Sequence, residues 1–288
     1  MAEVFDSSPL EPFGVEIDLD LSKPLSIPEQ DHLRELFAQD LLIVARNQKL
    51  DQDGHRRVMS YLGPIPPDPR DQTGIISTDE TVGIQGSIKL VFHSDNAYNE
   101  EPDVAVSLHA VDLVNGASST QLASAVLGYR MVPAELQERI ADLSGLNVWV
   151  IDQTRRTRLS EIADTDARAV HPLVWFHETT GEPFLYVTEM QTDSIVGLPP
   201  EESEALLTEL KSYLYDPANV YEHRWNVGDL AVWDNLAVQH ARDDLTGSGT
   251  RTLLRAVCGT KGFFAQNPHL VVSGGFVDQR HAPEAAAG

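Results

Sequence analysis

Short apolar or alternating runs, each closed by a turn signal, recur from Phe13 to Cys258 and restrict this chain to a β-rich fold. Phe13 to Asp20 alternates apolar and acidic residues, and Leu41 to Ala45 is a short continuous apolar run. Ile88 to Asp95, Val104 to Leu113, Asn147 to Ile151 and Thr250 to Cys258 read as further strands. His171 to Phe176 and Phe184 to Val187 read as a hairpin across Thr179-Thr180-Gly181; Tyr221 to Val227 and Leu230 to Trp233 read as a second across Gly228-Asp229. Helical patterns are fewer. Ser26-Ile27-Pro28-Glu29 has the form of a capping box ahead of Leu33, Leu36 and Phe37. Asp51 opens a helix that stops at Gly63-Pro64, and Ser118-Ser119-Thr120 leads into a helix-like segment through Tyr129. Pro133 to Leu143 and Pro199 to Tyr213 are amphipathic. Pro64 to Gly74 reads as a loop that forms part of a substrate lid, and Gln153 to Thr165 as an exposed insertion. Many short strands with helices outside them fit a mainly β, double-layered antiparallel fold: a jelly roll, or double-stranded β-helix. The expectation is a single domain over 1–288, with its core at about 13–260 and a frayed Ala-rich tail over about 279–288.

Within that frame, Lys89-Leu90-Val91-Phe92-His93-Ser94-Asp95-Asn96 carries the chemistry. Residues two apart on a strand face the same way, so His93 and Asp95 project together, about 7 Å apart at Cα. An imidazole and a carboxylate are two-thirds of the two-His-one-carboxylate site that suits ferrous iron and leaves positions open. The pair alone occurs by chance about once in such a chain, so a distant third ligand decides the matter. His240, after the bend Trp233-Asp234-Asn235, is that candidate. Arg251 and Arg255, four apart, share a face of the last strand, and two guanidiniums so placed call for anions. On the same parity argument Lys89 shares the His93 face, and Asn96 sits at the mouth of the site; both are candidate substrate contacts. His109 is expected to be packed, and His171 and His177 make a poor metal pair.

Composition narrows the partners. A net charge of −23 disfavours nucleic acid and anionic membranes, which need a basic footprint, but not a small anion held by local Arg residues. One cysteine, Cys258, excludes a disulfide framework and fits a reducing compartment as a buried thiol. No basic, apolar leader and no membrane-length apolar run is present, so a soluble cytoplasmic protein is expected. There is no G-x-G-x-x-G loop, P-loop or nucleophile elbow.

The order His93-x-Asp95, Thr120, Trp233-Asp234-Asn235…His240, Arg251 and Arg255 resembles the taurine/α-ketoglutarate dioxygenase family, which includes the chlorophenoxyacetate dioxygenases. Asp18 to Leu25, Ala45 to Leu50, His171-Pro172, Thr180 to Tyr186 and Arg224 to Asp229 agree with it, so the resemblance covers about 13–260. It implies that His93, Asp95 and His240 hold Fe(II). It also implies that Thr120 and Arg251 bind the distal carboxylate of α-ketoglutarate, and that Arg255 meets an anionic group on the substrate or supports the cosubstrate. The implied reaction consumes O2 and α-ketoglutarate, releases succinate and CO2, and hydroxylates, or hydroxylates and thereby cleaves, a small anionic substrate. Asp95 as a full ligand favours hydroxylation over halogenation. The family's habit implies a homodimer or homotetramer. Phe92 and Ser94 stand where the family commonly has Trp and Thr, and Asn115 to Thr120 is looser than the usual Gly-Gly-Asp-Thr. Two other classes fit the residues without the resemblance. One is a non-oxidative jelly-roll metal enzyme, an isomerase or hydrolase, which would not need Arg251. The other is a binding protein that has kept the fold and would tolerate loss of His93 and His240.

Overall fold

The computed structural model describes residues 4–67, 73–79, 81–268, 272–273 and 276–277. In chain order the strands that build the molecule are β1 (Asp6–Pro9), β2 (Val15–Asp18), β3 (Leu42–Ala45), β4 (Thr73–Ser77), β5 (Ile84–Gln85), β6 (Leu90–His93), β7 (Ala105–Leu113), β8 (Ser119–Ser124), β9 (Ser144–Val148), β10 (Arg168–Pro172), β11 (Val174–Phe176), β12 (Pro183–Leu185), β13 (Thr192–Ile195), β14 (Val220–Arg224), β15 (Leu230–Asp234), β16 (Val238–Arg242) and β17 (Arg251–Cys258). The helices are α1 (Ile27–Asp40), α2 (Gln52–Ser60), α3 (Ala125–Met131), α4 (Ala134–Ile140), α5 (Pro200–Leu214) and α6 (Phe263–Gln266).

An eight-stranded sheet, in the order β1-β2-β3-β15-β7-β17-β4-β5, faces a four-stranded sheet, β14-β8-β16-β6, across the cavity described below. This is the expected jelly roll, closed by antiparallel pairs between strands distant in sequence. The larger sheet is covered on both faces, which is why β3 reads as a continuous apolar run. Ile43, Val232 and Cys258 point outward into a core with Leu33 and Phe37 of α1 and Val58 and Met59 of α2. Leu42, Val44, Trp233 and Leu253 point inward, toward Leu122 and Val238 of the smaller sheet. Cys258 is buried, and burial pushes its thiol up to about 12, so it is inert as expected.

The capping box is present at α1, with Ser26 N–H and Oγ both donating to Glu29. Leu206, Leu207 and Leu210 form the buried stripe of α5. Gly128 lets α3 lie directly on α5: a Cβ there would meet Leu214 Cα at 2.8 Å. Gly128→Ala is therefore expected to cost about 1–3 kcal/mol by overpacking, outweighing the better helix propensity of Ala. Urea unfolding measures it, and an unchanged midpoint would show that the two helices part freely.

Several expectations are corrected. Tyr221–Val227 and Leu230–Trp233 are not a hairpin: β14 pairs with β8 in the small sheet, while β15 lies between β3 and β7 in the large one. The chain crosses between sheets at Gly228 (φ 88°), whose neighbour Asp229 is held by Arg46 Nη1 (2.7 Å) and Asn226 N–H (2.9 Å). Thr120 opens no helix; it lies in β8, and α3 starts later, with Ser124 as its cap. The strand expected at Asn147–Ile151 sits earlier, at β9. The segment after Gln153 is not a free insertion. Thr157 is fully buried, Arg156 and Arg158 both donate to Glu204 of α5, and the Gln153 carbonyl accepts Val91 N–H. Part of the expected 64–74 loop and all of the 279–288 tail lie outside the described residues.

Candidate active site

The site is built where the two sheets close on each other. His93 ends β6 and His240 sits in β16, and the two are register partners in the small sheet. The pairing slips between His240 and Arg242, with one extra residue on β6, so Leu90 and His93 both face the cavity. Asp95 is not on the strand, which stops at His93; it lies in the following turn. That turn is pinned from the other sheet. Asn235, fully buried, accepts Asp95 N–H at its Oδ1 (2.7 Å) and donates from Nδ2 to the carbonyls of Asp95 (2.9 Å) and Asp103 (2.8 Å).

The three side chains converge. Asp95 Oδ1 is 3.4 Å from His93 Nε2 and 3.6 Å from His240 Nε2, separations that one ion at bond lengths of about 2.0–2.2 Å spans. All three ligand atoms lie within 4.8 Å of one another. His93 Nδ1 lies 2.8 Å from the Val91 carbonyl, which can only accept, so the proton sits on Nδ1 and Nε2 is free to ligate. Burial, with the neighbouring His93, pushes His240 down to about 3, leaving it a neutral imidazole. Burial alone would raise the Asp95 carboxyl; the Arg255 charge, helped by both imidazoles, holds it well below the carboxylate range. A neutral, neutral, anionic donor set with open space beside it fits a divalent iron.

Arg255, expected to meet a substrate anion or support the cosubstrate, clasps Asp95 at the wall of the same cavity. Its Nε and Nη2 donate to Asp95 Oδ2 at 3.0 and 2.6 Å, and Nη2 lies 3.4 Å from Asp103. Oδ2 is thereby occupied and Oδ1 is left for the metal. Arg251, on the same inward face of β17, is buried and donates from Nε to Ser118 Oγ (3.2 Å). Among the described residues no carboxylate pairs with it. Thr120 Oγ1 accepts the Trp225 indole N–H (2.9 Å), which leaves the Thr120 hydroxyl proton free to donate. Thr120, Arg251, Arg255 and the three ligands line one cavity, with Trp233 and Leu108 among its apolar walls.

Two expected contacts are not brought there. β6 begins at Leu90, so Lys89 precedes the strand and is exposed; the parity that placed it beside His93 does not apply. Asn96 has a left-handed backbone (φ 59°). Its amide donates to Asp103 (2.9 Å) and its carbonyl accepts Tyr98 OH (2.8 Å), so it braces the turn and lines no part of this cavity. Arg242, Asn235, Ser118 and Trp225 were not singled out as site residues from the sequence. Arg242 carries a signal, the same parity as His240; Asn235 belongs to the bend and to the motif ahead of His240, but nothing local shows that it holds the Asp95 turn. His109 is packed and hydrogen-bonded in the framework, His171 donates to the Asn99 carbonyl, and His177 pairs with Asp234, so neither of the last two is grouped with a metal site among the described residues.

The chain is 27% identical over 286 residues to the α-ketoglutarate-dependent 2,4-dichlorophenoxyacetate dioxygenase of Cupriavidus pinatubonensis, covering 87% of this chain and 96% of that one. It is 26% identical over 188 residues to an α-ketoglutarate-dependent sulfate ester dioxygenase of Pseudomonas putida, with 60% of each chain covered. The crystal structure of a taurine dioxygenase from Burkholderia xenovorans superposes with a TM-score of 0.77 at 25% identity, over 89% of this chain and 91% of that one. A family model spanning residues 6–257 matches as well. With jelly roll, converging ligands and that match in agreement, the chain belongs to the taurine catabolism dioxygenase TauD, TfdA family.

Proposed function

We propose that this chain is an Fe(II)- and α-ketoglutarate-dependent dioxygenase that hydroxylates a small organic anion, with bond cleavage where the oxidised carbon bears oxygen or sulfur. The observation that carries the reading is one cavity holding both the His93–Asp95–His240 constellation and Arg251, a buried guanidinium that no described carboxylate meets. Iron, when bound, couples the decarboxylation of α-ketoglutarate to succinate with the insertion of one oxygen atom of O2 into a substrate C–H bond.

The residues supply the rest. His93, Asp95 and His240 hold the metal by one face. Arg251 and the free Thr120 hydroxyl proton bind the distal carboxylate of the cosubstrate. Trp233, Val106 and Leu108 keep the cavity apolar and exclude water. Charge argues for an anionic substrate. Arg242, Arg251 and Arg255 line the cavity with a single lining carboxylate, Asp95, in a chain of net charge −23, and no described carboxylate pairs with Arg251. The relatives are named for a chlorinated aryloxyacetate, a sulfonate and sulfate esters, which share an anionic group. A reducing, cytoplasmic setting belongs to the same proposal, supported by the lone buried Cys258.

Anaerobic addition of Fe(II) and then α-ketoglutarate is expected to produce the weak visible charge-transfer band of the chelate. A panel of carboxylates, sulfonates and sulfate esters is then expected to contain the compounds that raise succinate formation. Bound iron without a band would favour a non-oxidative isomerase or hydrolase. Coupling by neutral compounds alone would remove the anionic substrate.

A further inference from the structure

The three ligands reach one point by two different routes. His93 and His240 face each other because β6 and β16 are register partners in the small sheet. No strand places Asp95, which stands in the turn where the chain leaves β6 for β7 of the large sheet. Ladder pairing therefore sets the two imidazoles, and something else must set the 3.6 Å between Asp95 Oδ1 and His240 Nε2.

Asn235 stands at a second crossing, where the chain returns from β15 to β16, five residues before His240. It is fully buried, and both ends of its amide go to the first crossing. Oδ1 accepts Asp95 N–H (2.7 Å), and Nδ2 donates to the carbonyls of Asp95 (2.9 Å) and Asp103 (2.8 Å). Its own N–H donates to the Val104 carbonyl (2.9 Å). The amide thus takes both main-chain groups of Asp95, as a neighbouring strand would. The bend does not need this side chain for its own shape, because Asp234 Oδ1 accepts the N–H groups of Leu236 (2.8 Å) and Ala237 (2.7 Å). Nor does the Asp95 turn hang on it alone, since Gln191 Nε2 donates to the Ser94 carbonyl (2.8 Å). Among the described residues, Asn235 is the one that ties the main chain of Asp95 to the segment carrying His240.

We propose that Asn235 is a positioning residue for the metal centre. By holding the main chain of Asp95 it turns a two-histidine strand pair into a three-ligand face, so metal affinity depends on an amide that is no ligand itself. This rests on the reading above that the cavity takes a divalent metal. The division of labour with Arg255 is plain: Arg255 turns the carboxylate, and Asn235 sets where the residue that bears it stands.

The test is calorimetric binding of Mn(II), a redox-inert stand-in for iron. In Asn235→Ala the affinity is expected to fall about 10–100-fold, with one site per chain retained because all three ligands are still present. Asn147→Ala is the control for mere destabilisation. Asn147 is equally buried, accepts the Thr192 hydroxyl (2.7 Å) in β9 and lines no part of the cavity. Its loss is expected to lower the urea midpoint and leave Mn(II) affinity at the wild-type value. Binding of Mn(II) by Asn235→Ala within twofold of wild type would overturn the proposal, and so would equal weakening in Asn147→Ala, the mark of a general loss of stability. Should Asn235→Ala not fold, Asn235→Ser decides by the same twofold limit. Wild-type protein that binds no Mn(II) would instead overturn the metal reading itself.

Discussion

His240→Ala is expected to lower turnover by on the order of a thousandfold or more, because it removes one of three ligands and the face-on geometry with it. The remaining His93 and Asp95 are two donors from one short segment. The strand that would complete the set is still in place, His240 and His93 being register partners. The fold should survive. The His240 ring packs against His93 (centroids 4.1 Å) and Trp233 (4.9 Å), and its Nδ1 is buried with no partner among the described residues. Truncation therefore loses packing but removes an unsatisfied polar atom. The measurements are metal content after loading and single-turnover succinate yield, with a thermal melt as the control. A variant that retains stoichiometric iron and turns over normally would remove His240 from the ligand set.

Arg255→Met is expected to do two things that a plain loss of substrate contact would not. First, the metal-free protein should lose about 3 kcal/mol. That is the low end for breaking a buried pair, since the Asp95 side chain keeps 16% exposure and can take up a proton. Second, metal affinity should fall about 10–100-fold, the usual cost of removing a group that orients a ligand. Coulomb repulsion between the guanidinium and the metal works against this. The geometry favours orientation as the larger effect, because two nitrogens at 3.0 and 2.6 Å fix Oδ2 and present Oδ1 to the metal. Arg255→Lys restores the charge but not the two-point grip, and should recover stability better than metal affinity. Urea unfolding with and without Mn(II) separates the two effects. Unchanged metal affinity in Arg255→Met would return Arg255 to the substrate side of the cavity.

The convergence of His93, Asp95 and His240 and most of the strands were legible in the sequence, for a physical reason. His240, Arg251 and Arg255 sit on strands where parity dictates facing, and parity is legible in one dimension; His93 and Asp95 converge instead through the extra residue in β6 and the turn after it. Parity gives the face of a strand and not what stands opposite it. The Arg255–Asp95 clasp joins residues 160 apart, and nothing local announces it. Lys89 shares the His93 face only if the strand includes it, and β6 starts one residue later, a shift that strand boundaries commonly show. Ser118-Ser119-Thr120 resembles a helix cap, but tertiary pairing with β14 and β16 makes Thr120 part of a strand. Gly228-Asp229 gives the same signal whether a turn folds two strands together or sends the chain to the other sheet. The Asp229 contacts to Arg46 and Asn226 decide that outcome, and the first of them is long-range.

The order of the four-stranded sheet has a consequence for how the protein assembles. Its neighbours β14, β8, β16 and β6 come from widely separated parts of the chain, and the two histidines face each other only once β16 has docked on β6. Such non-local pairing makes folding slow, since each loop must close before its contacts reward it. Iron is therefore not expected to nucleate this fold, as zinc does in small fingers. It is expected to bind a finished jelly roll, at a site that the polypeptide has already assembled. A chelator should strip the metal and leave the protein folded, and newly made chain should pass through a metal-free native stage before it is competent.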